Sequence, residues 1–285
     1  MTRRARLTLA GGGGALLASW LALHALWLEP ASLRLVAHTL ELPRWPAACD
    51  GLRVAVLSDL HVGSPWNGPP RVAEVVRTTN RARPELALVA GDFVVAHGMA
   101  GGTRVGPDEI ARELSGIRAP LGLLAALGNH DGWWGAAEVR SALEGAGIRV
   151  LEDSAHPIAR GACRFTIVGI SDLWTGAHRV DRAFQDVDEQ AATIALMHNP
   201  DLFPELPPGL ALAIAGHTHG GQVALPLLGR PVIPSKFGER FAAGHIVEGD
   251  RHYFVTTGIG TSVWPIRFRV PPEVVVLTLR SAPPT

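Results

Sequence analysis

Five short apolar runs, each ending abruptly in polar residues, constrain this chain more than any other feature. They read VAVLSDLH (54–61), LALVAGDF (86–93), LLAALGNHD (123–131), IALMHNPD (194–201) and LALAIAGHTH (210–219). Runs this short, built of Val, Ile and Leu and stopped by Gly or Ser, suit strands buried on both faces. Helical spacing appears between several of them. PPRVAEVVRTTNRA opens on proline and puts Val72, Val75 and Val76 on one face. PDEIARELSGI and AAEVRSALEGAG behave likewise, the second stopping at glycine. Alternating strands and helices predict an α/β domain with sheets covered by helices. In such sheets ligands gather beyond the carboxyl ends of the strands, and each of these ends carries Asp, His or Asn.

With 47% apolar and 18% charged residues over 285 positions, the chain can bury a large core. Its 26 basic and 26 acidic residues cancel, and Arg3, Arg4 and Arg6 precede the first acid, Glu29, so residues 29–285 are slightly acidic. A clamp for polynucleotide backbones needs a basic footprint, so no nucleic-acid partner is expected. Cys49 and Cys163 match no metal-binding or redox spacing and allow one disulfide without requiring it. MTRRAR is followed by the uncharged stretch LTLAGGGGALLASWLALHALWL. As a helix it would span about 33 Å, against a bilayer core of about 30 Å. Residues 1–28 are therefore expected to anchor the chain in the cytoplasmic membrane, with the leading arginines inside and the domain outside. A twin-arginine export signal in TRRARL and a cytoplasmic-facing domain are the alternatives. Residues 29–50, with three prolines, read as connector and first strand, and residues 51–285 as the main domain.

The polar endings pool Asp59, His61, Asp92, Asn129, His130, Asp131, His198, His217 and His219. Carboxylates, imidazoles and an amide oxygen, with no thiolate among them, suit divalent Mn, Fe or Zn. A closed structural zinc site is usually built from Cys and His, so this set reads as an open catalytic centre. Asp59 and His61 are one residue apart, as are His217 and His219. On an extended strand such i, i+2 side chains face one side, so each pair could address one metal.

Taken in order, DLH, GDF, GNHD, the isolated His of MHNPD, and GHTH resemble the five motifs of the calcineurin-like metallophosphoesterases, across residues 59–219. GGQVALP, KFGERFAAGH, TTGIGTS, PIRF and PPEVVVLTL further resemble one bacterial branch, the YaeI- and YkuE-like phosphodiesterases. The resemblance implies a four-layer α/β/β/α sandwich with two divalent metals at the ends of its central strands. It implies that Asp59, His61, Asp92 and His219 hold one metal, and Asp92, Asn129, His198 and His217 the other, with Asp92 as the bridge. Two cations about 3.5–4 Å apart can hold a bridging hydroxide for in-line attack on phosphorus. His130 would protonate the leaving oxygen, with Asp131 orienting its imidazole. The chain departs from the family pattern at Ser58, where a second acid often stands, and in GDFVVA, which lacks a following aspartate.

Asp172 and Trp133 are the candidate substrate contacts. Trp66, Trp133 and Trp134 follow ligand motifs and could wall a pocket for a lipid or a base, whereas tryptophan is also common in cores. His97 fits no pattern, and His24, His38, His156, His178, His245 and His252 read as structural or solvated. The expected function is a dimetal phosphoesterase cleaving phosphodiesters or pyrophosphates in an amphiphilic or nucleotide-linked lipid substrate. A phosphomonoesterase or nucleotide phosphatase of the same fold is the alternative. A nuclease would need a basic path for its strand, and an inactive binding protein would be expected to have lost ligands.

Overall fold

The apolar runs form the centres of two stacked six-stranded sheets in the computed structural model, which describes residues 14–97 and 101–282. The first sheet has the order β1 (Arg34–Leu42), β12 (Glu273–Ser281), β2 (Leu52–Leu57), β3 (Leu86–Ala90), β4 (Leu123–Ala126), β5 (Arg149–Val150). Strands β2 to β5 run parallel, and β12 enters antiparallel to β2. The second sheet has the order β10 (Gly244–Glu248), β11 (Arg251–Val255), β9 (Leu212–Ala215), β8 (Thr193–Leu196), β7 (Cys163–Gly169), β6 (Ser154–Arg160). Its four inner strands are parallel, and the hairpin partners β6 and β10 form antiparallel edges.

Alternation within each run explains why no polar residue interrupts it. Val54, Val56, Leu86, Leu88 and Leu124 point between the sheets, where they meet Phe165, Ile167, Ile194, Leu196 and Ile214. The intervening Ala55, Leu57, Ala87, Val89 and Ala125 point outward against helices α1 (Pro69–Arg81), α2 (Pro107–Leu114) and α3 (Asn129–Gly145). Helix α1 starts with proline, whose missing N–H costs nothing in the first turn. It buries Val72 and Val75, while Val76 stays half-buried. Helix α3 begins inside GNHD, well before the expected AAEVRSALEGAG, and kinks at Gly135, where φ is 139°.

The second sheet's outer face is covered differently. A five-residue helix, α4 (Val180–Phe184), and 3₁₀ turns at Pro200–Glu205 and Gly238–Phe241 bring Phe203, Phe241 and Tyr253 together over it. The mixed α/β fold with two sheets is as expected, but the fourth layer is built of short pieces. Its chain between β9 and β10 is rich in glycine and proline, which do not sustain long helices.

A disulfide joins Cys49, in the 3₁₀ turn before β2, to Cys163, the first residue of β7. It ties the two sheets at the amino ends of these strands. The buried Trp45 caps it, donating its indole N–H to the Cys49 carbonyl at 3.0 Å and packing on Phe165 at 5.0 Å between ring centroids.

The expected membrane anchor is corrected. Among the described residues, no helix is long and apolar enough to cross a membrane. Residues 1–13, where the anchor was expected to begin, lie outside the described residues. The chain is α-helical over residues 14–23, widens into a π-helical turn at His24–Leu28, and then docks on the domain. The Arg267 N–H donates to the Ala25 carbonyl at 2.9 Å, the Trp66 indole to that of Leu26 at 3.2 Å, and the Arg71 guanidinium to that of Ala31. Trp27 and Trp66 pack with centroids 4.0 Å apart, so Trp66 serves this docking and does not wall a pocket. The membrane-anchored location deduced from the sequence falls with the anchor.

Replacing both cysteines by serine should lower unfolding stability by about 2–4 kcal/mol, since the link closes a long loop. Urea denaturation of the variant beside the parent checks this, and an unchanged midpoint would contradict it.

Candidate metal centre

The parallel strands of both sheets finish at the same edge of the sandwich, and the candidate ligands sit in the turns just beyond them. Asp59 and His61 follow β2, Asp92 follows β3, Asn129 follows β4, His198 follows β8, and His217 and His219 follow β9. These are not extended residues. Asp59, His61, Asp92, His217 and His219 all have positive φ, between 41° and 69°, a region that costs non-glycine residues about 1–3 kcal/mol each. The i, i+2 argument from strand geometry therefore does not hold; tight turns aim these side chains. The turns brace one another. The Asp59 N–H donates to the Gly91 carbonyl at 2.9 Å, that of His61 to the Asp92 carbonyl at 3.0 Å, and that of His217 to the Asp59 carboxylate at 3.1 Å. Gly128 must be glycine for steric reasons, because a Cβ there would lie 2.3 Å from Asp92 Oδ1.

Two donor sets emerge. His61 Nε2 lies 3.1 Å from His219 Nε2 and 3.4 Å from Asp92 Oδ2, and His219 Nε2 lies 3.4 Å from Asp59 Oδ1. His198 Nε2 lies 3.1 Å from Asn129 Oδ1, 3.1 Å from His217 Nδ1 and 3.2 Å from Asp92 Oδ2. Donors about 2.0–2.2 Å from one cation stand about 3.0–3.4 Å from each other, so these separations fit a cation within each set. Asp92 Oδ2 belongs to both. His217 and His219, neighbours in sequence, fall into different sets.

Burial governs the charge state. It pushes His61 and His217 down to about 3 and His219 well below its usual range. Neutral imidazoles are the form that binds metal. Burial likewise pushes Asp59 up to about 6. It works against His198 too, but the adjoining Asp92 carboxylate raises that imidazole to about 10. Asp92 feels the same burial, yet His198, His61 and His130 together hold it well below the usual carboxylate range. Asp92 thus stays anionic between a protonated His198 and the unprotonated nitrogens of His61, His217 and His219, an arrangement in which a cation can take the place of the His198 proton.

The structure separates the two candidate proton-handling residues. His130 lines the cavity above the donor sets, receiving the Ala96 N–H on Nδ1 at 3.4 Å and facing Ser262 Oγ from Nε2 at 3.5 Å. Asp131 is fully buried, and its carboxylate accepts the N–H groups of Asp92, Phe93, Val94 and Gly128 at 2.8–3.3 Å. None of these contacts is to the His130 imidazole. The expectation that Asp131 orients His130 is corrected: four amides of the neighbouring turns saturate it, and what it orients is Asp92.

A cavity of about 480 Å³ opens over the centre. Trp133 and Trp174 form one wall, with centroids 6.1 Å apart, and Trp174 packs edge-on against His217 at 4.5 Å. Asp172 braces this wall, accepting the N–H groups of Trp174 and Thr175 at 2.9 Å, while its other oxygen is buried without a partner. Trp134 faces away, under the Arg104 guanidinium. His97 joins the wall by packing on Trp133 at 5.4 Å. The opposite wall, Val232, Val263, Trp264 and Ser262, was not singled out by sequence reasoning. Only Ser262 lies in a segment that sequence reading had marked, TTGIGTS.

Gly128→Ala should push the Asp92 carboxylate aside and reduce bound metal below the parent's stoichiometry, as read by elemental analysis of dialysed protein. Equal metal content in the two proteins would contradict the shared-bridge geometry.

A family model described as calcineurin-like phosphoesterase matches residues 52–221, the span holding all of these candidate ligands. The chain is 29% identical to the metallophosphoesterase YkuE of Bacillus subtilis, over 96% of this chain and 92% of that one. It is 30% identical to the phosphodiesterase YaeI of Escherichia coli, over 89% and 90%. It is also similar, at 26% identity over 70% and 73%, to the UDP-2,3-diacylglucosamine pyrophosphatase LpxG of Chlamydia trachomatis.

Proposed function

This chain belongs to the calcineurin-like phosphoesterase family of metal-dependent phosphoester hydrolases, and we propose on that premise that it cleaves phosphodiester or pyrophosphate bonds in an amphiphilic substrate. The observation that carries this reading is the pair of donor sets sharing Asp92 at the floor of an apolar-walled cavity.

Asp59, His61, Asp92 and His219 would hold one divalent cation, and Asp92, Asn129, His198 and His217 the other. Bound there, two cations neutralise phosphoryl oxygens and lower the pKa of water, which supplies a nucleophile at neutral pH. The protein does the rest. Asp131 fixes the turn that presents Asp92, so the bridge keeps its position. Burial pushes the His130 imidazole below its usual range, which favours the neutral form. The amide on Nδ1 leaves the proton on Nε2, which points into the cavity beside Ser262. That N–H can donate a hydrogen bond to the departing ester oxygen and stabilise its developing negative charge.

Trp133 and Trp174 on one side, with Val232, Val263 and Trp264 on the other, leave little polar surface for a sugar or a base alone. They suit an acyl or alkyl group, excluding water from it at about 25 cal/mol per Å² of apolar surface covered. The likeness to a pyrophosphatase named for a nucleotide-linked diacyl sugar supports the same class. Asp172 does not line the cavity; it holds Trp174 and Thr175 in the wall from behind.

Purified protein given Mn²⁺ should hydrolyse bis-(p-nitrophenyl) phosphate and lose that activity on chelation. Asp92→Asn and His217→Ala should each lower kcat by about 100-fold or more; full activity in either variant would refute the dimetal reading. Trp133→Ala should raise KM about tenfold for a diacylated sugar nucleotide and leave KM for bis-(p-nitrophenyl) phosphate nearly unchanged. Equal effects on both substrates would refute the apolar subsite.

A further inference from the structure

Arg267, in the PIRF segment, is the largest fully buried side chain among the described residues, yet it takes no part in the cavity. Its guanidinium meets only carbonyls. Nε and Nη2 donate to Gly260 O at 3.2 and 2.6 Å, Nη2 also to Thr257 O at 2.9 Å, and Nη1 to Val270 O at 2.9 Å. No carboxylate stands within salt-bridge distance among the described residues, and burial pushes its pKa down to about 10. A buried cation on neutral partners is costly, so what it holds is informative.

The two carbonyls at Thr257 and Gly260 bracket a four-residue loop that forms the back of the Asp59–His61 turn. The Gly260 N–H donates to the Asp59 carbonyl at 2.6 Å, and that of Ile259 to the Ser58 carbonyl at 3.2 Å. The fit leaves no room: a Cβ on Gly258 would lie 2.6 Å from Asp59 Cβ, and one on Gly260 2.8 Å from His61 Cβ. The arginine's own backbone is fastened elsewhere. Its N–H donates to Ala25 O, and the next residue's, Phe268, to Gln222 O, both at 2.9 Å, which ties it to the turn leaving His219. Glu29 completes the strap by accepting the Val270 N–H at 2.5 Å.

We propose that Arg267 is a positioning residue for the Asp59–His61–His219 set, clamping loop 257–260 behind two of these ligands, next to the Phe268 backbone that braces the turn carrying the third. This rests on the two-cation reading above. Removing the clamp should loosen one cation site and spare the set formed by Asn129, His198 and His217.

The test is Co²⁺ titration of the metal-free full chain, followed by visible absorption, for the parent, Arg267→Met and Arg267→Lys. Asp59→Asn and His198→Ala serve as single-site references. In Arg267→Met, one site should weaken by about 10–100-fold, the range for residues that orient metal ligands, and the other should stay within threefold. The remaining spectrum should match that of Asp59→Asn. Arg267→Lys, which keeps the charge but not the planar fork, should fall between. Unchanged affinities at both sites would overturn the proposal. So would equal loss at both, a remaining spectrum matching His198→Ala, or failure of both Arg267 variants to fold, which would make the arginine a general support of the domain. A parent that binds a single Co²⁺ would instead refute the two-cation reading.

Discussion

Everything at the working edge of this protein follows from putting two carboxylates and four imidazoles out of contact with water. Asp59, Asp92, His61, His198, His217 and His219 are each no more than 5% exposed. Their mutual hydrogen bonds do not neutralise the cluster. Protonating His198 against Asp92 compensates part of the negative charge, and the remaining nitrogens are held neutral by desolvation. A cluster so arranged is costly as a piece of protein and favourable as a receptacle for dications. The sheets, the turns and the saturated Asp131 are the means by which that cost is sustained.

Backbone conformation carries part of the same cost. Five ligand residues occupy left-handed turns that their side chains do not favour. Such strain persists only where the surroundings over-determine it, and here they do. Each turn donates to or accepts from a neighbouring turn, so none can relax alone. The glycines that interleave with the ligands are the other half of this arrangement, letting one turn approach another where a methyl group would collide.

Much of this could be read from the residues. Strands buried on both faces leave an unbroken apolar run, and polar residues at its end mark where the burial stops; this is why all five runs and the seven candidate ligands were visible. The assignment of His217 and His219 to separate metals came only with the family resemblance, because i, i+2 spacing on a strand pointed the other way. Asp131 was misread for a related reason. Adjacent residues at the start of helix α3 point in different directions, and adjacency to His130 said nothing about contact. Val232, Val263 and Trp264 carry no periodicity, since they stand on loops held by tertiary contacts. Hydropathy also does not register the hydrogen bonds by which Ala25, Leu26 and Glu29, at the end of the apolar stretch, fasten to the domain.

The position of the Cys49–Cys163 link acquires a meaning beside the metal centre. The two sheets meet face to face through apolar side chains, which resist separation but do not fix a distance. A covalent tie fixes it at the amino ends of β2 and β7, and the candidate metal donors of both sheets meet at the opposite rim. A sandwich fastened by sulfur at its base is free to part only at its mouth, where cations held as proposed would close it. On that reading the sheets without cations would hinge on the disulfide, with any widening confined to the rim above the candidate ligands.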